Sequence, residues 1–320
     1  MNNKTALLLS FVLALFSSCS LIRKEKAIEV NPDLIIGYFP SSDLIPFYLA
    51  QQQGYFDSLQ LNIRLQRMES KFQCDTLYRT GKIDGCIFEL TDALRMSAEG
   101  NTIHPIMGNE GCFYLLGNPD STITTIEQLK NKTVAINNYS SADYLTDKLF
   151  AKHDLTEEDV NKPEIGNDYI RLEMMLNTQV EAAVFQEPYA SSAISQKAVK
   201  LYDFNALNEI TTVTAFSQPT LEKKKDLLIK LITAYNRAVN FMNTHTPDAW
   251  FGEVADSIGW TQTKNLTKIT SYHQARILPQ ATVDSVANWM KRKKLIPDNY
   301  KADIVDRSLL QSFNLTSVQK

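Results

Sequence analysis

"GYFPSSDLIPFYL" (Gly37–Leu49) and "INNYSSADYLTDKL" (Ile136–Leu149) decide the fold. Each is an apolar extended run that breaks at a Ser-Ser pair and resumes with helical period. The pairs Ser41-Ser42 and Ser140-Ser141 stand 99 residues apart. Downstream of each lies a second matching corner. In "GKIDGCIFELTDAL" (Gly81–Leu94) an acid, Asp84, precedes a strand that ends at Phe88-Glu89 as a helix begins. In "TQVEAAVFQEPYAS" (Thr178–Ser191) Glu181 precedes a strand that ends at Phe185-Gln186-Glu187. Ser41 to Asp84 is 43 residues and Ser140 to Glu181 is 41. Two units with the same order and nearly the same spacing predict two similar α/β lobes.

The rest of the chain fits that plan. Short apolar runs alternate with helix-period segments, which is the pattern of an α/β fold. Strands are expected at 33–39, 61–66, 82–90, 132–138 and 180–185, with two more extended runs near 102–108 and 111–117. A last strand is expected at 209–216. Helices are expected at 44–56, stopping near Gly54, at 72–80, from 90 to about 100, in a short piece at 125–131, at 141–153 and 169–179, and then to the end as 221–243, 248–258, 264–272 and 283–293. The second lobe, 117–208, is inserted into the first, 33–116 plus 209–320, and a strand near 209–216 returns the chain across a hinge. The first lobe carries the helical C-terminal extension.

In open α/β sheets, ligands bind beyond the carboxyl ends of the strands, where helices begin with unpaired N–H groups. The four corners are such ends. They nominate Tyr38, Ser41, Ser42, Phe88, Glu89, Thr91, Asn138, Tyr139, Ser140, Ser141, Gln186, Glu187 and Tyr189 as solute contacts in a cleft that closes by hinge bending. Each Ser taken alone is equally a helix cap. Phe88 and Phe185 read as cleft walls or as core, and Glu89 and Glu187 each as a ligand contact or as a helix cap bonded to a backbone amide.

The N-terminus has Lys4, the apolar run Ala6–Phe16 and then "SSC" ending at Cys19. That run is too short for the roughly 20 residues of a membrane-spanning helix and reads as a secretory signal, residues 1–18. "FSSCS" (Phe16–Ser20) resembles a bacterial lipobox, which implies lipid on the Cys19 thiol; Phe16 stands where Leu is usual. Residues 19–32 read as a polar tether. Of the remaining cysteines, Cys86 and Cys112 lie in strand-like runs; a disulfide between them is compatible with an oxidising compartment, and buried thiols are the alternative. His104, His153, His245 and His273 form no metal motif, and no cofactor is expected. A net charge of −3 gives no reason to expect nucleic acid.

The order of the motifs resembles the NMT1/SsuA-like group of type II periplasmic substrate-binding proteins. The carriers are Pro46–Ala50, Gly54-Tyr55-Phe56, "GKIDGCIFELTDAL", "TIEQLKNKTVAINNYSSADYL" (Thr125–Leu145) and "VEAAVFQEPYAS", over about residues 33–216. Asn131 stands where the family usually has Gly. The resemblance implies two Rossmann-like lobes and a receptor that hands a small solute to an ABC transporter permease. The protein would be tethered to the periplasmic side of a membrane. Family ligands include sulfonates, taurine, nitrate and thiamine-precursor pyrimidines. Glu89 beside Glu187 leans the reading toward a heterocycle or an amine-bearing molecule and away from a bare anion. The same fold hosts desulfinases and pyrimidine synthases, but the synthases' cysteine-rich segment is missing, and only Cys112 and His104 suggest a nucleophile pair. An accessory ligand sensor is a third reading.

Overall fold

Leu34–Tyr38 (β1) is branched and apolar, and Leu34 and Ile36 are fully buried. A strand buried on both faces reads as a continuous hydrophobic run, as this one does. The computed structural model describes residues 31–258 and 272–317, and the chain from residue 33 onward forms one compact unit. The lipobox, Cys19 and nearly all of the tether lie outside the described residues, as does the helix expected at 264–272 apart from Tyr272.

Two sheets organise the unit. The first runs β2 (Ile63–Arg67), β1, β3 (Gly85–Glu89), β9 (Thr212–Ser217), β4 (Ile103–Gly108). The second runs β6 (Val134–Ala135), β7 (Ala182–Gln186), β5 (Phe113–Gly117), β8 (Val199–Asp203). The helices are α1 (Ile45–Gln52), α2 (Lys71–Arg79), α3 (Leu90–Ala98), α4 (Ser141–Lys152), α5 (Asp168–Leu176), α6 (Tyr189–Ser195), α7 (Gln218–Lys223), α8 (Lys225–Thr244), α9 (Phe251–Ser257), α10 (Gln280–Arg292) and α11 (Ser308–Ser317).

The repeat read from the sequence is physical. β1 pairs parallel with β3, and β6 pairs parallel with β7. In each sheet an antiparallel strand then follows, β9 beside β3 and β5 beside β7. The two spaced acids do the same job. Asp84 accepts the Ile35 N–H at 2.8 Å, and Glu181 accepts the Thr133 N–H at 3.0 Å. Ile35 and Thr133 each stand one residue before the position where the parallel pairing starts. Asp84 also holds the Lys224 ammonium at 2.7 Å, fastening α8 to the sheet. Gly85 lets β3 lie against β9: a Cβ there would sit 2.3 Å from the Ala215 carbonyl oxygen.

The structure follows most of the expected elements and departs from them in three places. The helix expected to stop near Gly54 ends at Gln52, and Gly54 takes a left-handed φ of 64° and starts a separate short turn. β8, a five-residue strand at the edge of the second sheet in which only Lys200 is exposed, was not expected. Strand β5 lies in the second sheet, although the expected first lobe ran to residue 116. At the C-terminal end Lys224 splits the helix expected over 221–243 into α7 and α8, and α11, which follows the non-helical residues 293–307, was not expected. Asn131 has a φ of 61°, so an Asn supplies the left-handed turn for which the family usually uses Gly. Cys74, Cys86 and Cys112 are buried thiols, with no Cys86–Cys112 disulfide. The close pair is Cys74 and Cys86, whose sulfurs lie 3.2 Å apart.

The first sheet packs Leu34, Ile36 and Ile87 against α1 and α8, where Phe47 and Tyr235 meet at 5.1 Å between ring centroids. Helix α10 buries Val283, Val286 and Trp289 in one cluster with Leu94 of α3 and Leu145 of α4. The extension therefore touches helices flanking both sheets. Trp289 donates to Asp147 at 2.9 Å, and the Tyr144 and Ser285 hydroxyls lie 2.8 Å apart. Among the described residues no helix is long and apolar enough to cross a membrane.

Candidate functional site

The chain passes between the sheets twice, at 109–112 and at 204–211, and the carboxyl ends of β1, β3, β6 and β7 converge beside these crossings. Between them lies a cavity of about 440 Å3. The end of β1 contributes Phe39, Ser41 and Asp43; the end of β3 contributes Phe88 and Glu89. From the second sheet come Asn137 after β6, and Gln186 and Tyr189 at the end of β7. Asn167, Asp168 and Tyr169 at the start of α5 close that side, and Arg67, Glu69 and Lys71 close the other. Thr212, where β9 begins, lies at the junction.

Charge in this cavity is lopsided. Five carboxylates (Asp43, Glu69, Glu89, Asp92, Asp168) face two cations, Arg67 and Lys71. Lys71 is already paired with Asp92 at 2.9 Å and Arg67 lies 3.7 Å from Glu69. Asp168 is tied to Arg171, which also covers the Phe185 ring at 5.2 Å.

Asp43 is the most buried of these acids. Its Oδ1 accepts the Gly111 N–H at 2.9 Å and the Thr212 hydroxyl at 3.2 Å. Burial pushes its carboxyl up from 3.8 to about 6, against the pull of those two donors, with the nearby Glu110 adding to the rise. Glu89 spans the two lobes: its Oε2 accepts the Ser141 N–H at 2.8 Å, at the start of α4, and the Thr91 hydroxyl at 3.3 Å. Burial raises the Glu89 carboxyl too, and the Lys71 charge opposes the rise. A carboxylate at a helix N-terminus meets free N–H groups and the positive end of the helix dipole.

Of the residues nominated from sequence, Ser41, Phe88, Glu89, Gln186 and Tyr189 line the cavity together. The other eight do not. Tyr38 is core, its hydroxyl 2.9 Å from that of Tyr48. The Ser42 hydroxyl is buried with no hydrogen-bond partner, and its carbonyl accepts from Tyr272 at 2.9 Å. Thr91 is buried behind Glu89. Asn138 and the exposed Tyr139 lie along a separate, open polar groove with Lys162 and Lys293. Ser140 caps α4 by accepting the Asp143 N–H at 3.3 Å, and Ser141 donates its hydroxyl to the Thr211 carbonyl at 2.8 Å. Glu187 caps α6 through the Ser191 N–H and hydroxyl, at 3.0 and 2.8 Å. Phe185 is core. Cys112 and His104 do not pair: His104 lies on β4 with its Nδ1 3.0 Å from the Ile304 carbonyl oxygen, while Cys112 precedes β5 in the other sheet.

Sequence reading missed Asp43, Arg67, Lys71 and Tyr169. Asp43 directly follows the first Ser-Ser pair, and an acid at a strand-end corner was the available signal. Arg67 and Lys71 flank the end of β2, an edge strand that the motif repeat does not mark. Among the described residues no group of His, Cys, Asp and Glu could hold a metal ion.

Two sheets of this topology with a cavity at their facing strand ends define the periplasmic binding protein fold. The chain belongs to the NMT1/THI5-like family, whose model matches residues 41–249. Its fold is shared with the periplasmic aliphatic sulphonate binding protein SsuA of Escherichia coli, at 17% identity and a TM-score of 0.72 over 83% of this chain and 94% of that one. The alkanesulfonate-binding SsuA of Xanthomonas axonopodis pv. citri, bound to MOPS, matches at 18% identity and 0.68 over 86% and 98%. The periplasmic nitrate-binding protein NrtA of Synechocystis PCC 6803 matches at 10% identity and 0.66 over 89% of each. No curated protein sequence matches this chain.

Proposed function

We propose that this protein is the solute receptor of an ABC-type importer, held in the cell envelope by lipid on Cys19, that captures one small molecule between its two sheets without turning it over. The observation that carries the reading is the cavity itself: about 440 Å3, lined by strand ends from both sheets, within the range of small-molecule sites. Domain closure about the two crossings would then enclose the solute and present a new surface to the permease. Five carboxylates against two cations favour an amine-bearing molecule or a heterocycle over a bare sulfonate, and Phe39, Phe88, Tyr169 and Tyr189 supply aromatic walls.

The test is mass spectrometry of the small molecules released when the purified protein is denatured, followed by adding each back to stripped protein. A receptor releases a defined solute that raises its unfolding temperature when returned. If nothing is released, and no fraction of a cell extract shifts unfolding, the receptor reading fails. Steady conversion of the solute to product would point to an enzyme instead. Lipidation is checked separately: Cys19→Ala is expected to leave the membrane fraction.

A further inference from the structure

We propose that Asp43 anchors a protonated nitrogen of the captured solute, so that the cleft selects amines and aminated heterocycles and refuses sulfonates. This narrows the receptor reading and rests on it.

Buried carboxylates are ordinarily paired with a cation or saturated by donors. Asp43 is 3% exposed, and among the described residues no Lys, Arg or His forms an ion pair with it. Its two oxygens are treated differently. Oδ1 is satisfied by Gly111 of the first crossing and by Thr212, the first residue of β9. Among the described residues Oδ2 has only the Ser41 hydroxyl and the Gln186 amide, both at 3.5 Å, the outer limit of a hydrogen bond. A carboxylate oxygen accepts about two hydrogen bonds. Oδ2 thus lacks both a close donor and a counter-charge, at a residue that lines the cavity.

An ammonium or a protonated ring nitrogen supplies both at once. It also has a route to closure. Ser41 belongs to the first sheet's corner and Gln186 to the second's, so a cation at Oδ2 is placed where both lobes meet. The charged and titratable groups around Asp43 do not supply the missing cation: Arg276 and His273, on the same side, are held by Glu110 at 3.4 and 3.1 Å and form no ion pair with Asp43. Glu110 and Cys112 flank it on the first crossing, and Tyr235 of α8 and Tyr272 face it from the helical side, both with hydroxyls pushed up by burial. Elsewhere in the cavity, Lys71 is engaged with Asp92 and Arg67 with Glu69.

The experiment is equilibrium dialysis of the mature protein against a mixture of benzylamine, aminomethylpyrimidine, benzyl alcohol and benzenesulfonate, together with a cell extract, each retained solute being identified by mass. The wild type is expected to retain cationic members roughly tenfold or more over the isosteric alcohol, the scale of a charge-assisted hydrogen bond. Asp43→Asn, checked for cooperative unfolding, is expected to lose that preference. Should the variant fail to fold, the wild type alone decides. Its retention of cations should fall roughly tenfold between about pH 7 and about pH 5, as the carboxylate takes up a proton. Retention of sulfonates, equal retention of the alcohol, or a variant that still prefers cations overturns the assignment while leaving the receptor standing. Retention of nothing by the wild type removes the receptor reading and this proposal together.

Discussion

The two Ser-Ser corners have similar sequences and spend their polar groups in opposite ways. At the second, Ser140 caps a 12-residue helix, Asp143 reaches back to the Tyr139 N–H at 2.9 Å, and the Ser141 amide and hydroxyl go to Glu89 and the Thr211 carbonyl. At the first, Ser42–Leu44 form a single turn and Ser41 makes no cap bond, and among the described residues the Ser42 hydroxyl has no partner and Asp43 no counter-ion. A helix start must satisfy its free N–H groups. The second corner does so with protein atoms and becomes a joint between the lobes. The first leaves acceptors open at the edge of a cavity. Duplicated local sequence therefore does not imply duplicated roles, because what decides the role is whether a partner from another element arrives.

The sharpest way to break this contrast is to remove the charge at the first corner. The Asp43 carboxyl sits near 6 when folded and near 3.8 in its ordinary state. The folded protein thus binds the extra proton between those values, and stability falls as pH rises from about 4 to about 6. At about 1.4 kcal/mol per pH unit, the whole span is worth on the order of 3 kcal/mol. Asp43→Asn is expected to abolish that decline and to be the more stable protein at neutral pH, by about 2 kcal/mol, although it is proposed to bind worse. Denaturant unfolding of both proteins across this range measures it. A wild-type-minus-variant difference that does not change with pH would mean that Asp43 is not held as an unpaired buried charge.

A smaller effect tests the joint. Glu89→Ala removes the acceptor for the buried Ser141 amide, whereas Glu89→Gln keeps an oxygen there. One such bond is worth about 1 to 2 kcal/mol, so exchange of the Ser141 amide hydrogen should quicken about tenfold in the alanine variant and stay near wild type in the glutamine variant. Equal exchange in all three would show that Glu89 does not hold the second corner.

Much of the fold was legible because it rests on local signals. The register of the repeat, the acids Asp84 and Glu181, and the strand-to-helix switches are all written in short windows, and the two acids do equivalent work in the two sheets. After residue 217 the helices near 221–243, 248–258 and 283–293 were legible, but the break at Lys224 and the last helix, α11, were not. The cavity was half legible. Strand ends predict where a site lies, but not which of two adjacent side chains turns toward it. Ser42 and Asp43 differ by one position, and the Gly111 amide, 68 residues on in sequence, helps fix Asp43. Glu187 shows the reverse: a corner acid whose local partner, Ser191, turns it into a cap.

The smallest expected effect compares the serines directly. Ser140 accepts the Asp143 N–H and donates to the Asn137 carbonyl at 2.6 Å, and is almost fully buried. Replacing such a cap with Ala costs about 1 kcal/mol, here with the Asn137 carbonyl losing a donor as well. Ser41 caps nothing and reaches only Asp43, at 3.5 Å. Ser41→Ala should therefore change stability by less than about 0.5 kcal/mol, the range of substitutions that remove no strong contact. Measured as a pair by denaturant unfolding, the two variants ask whether the corners differ in energy as they differ in geometry. Equal losses at Ser41 and Ser140 would mean that the first corner is as fully tied as the second, and the open acceptors beside Asp43 would lose their meaning as a binding end.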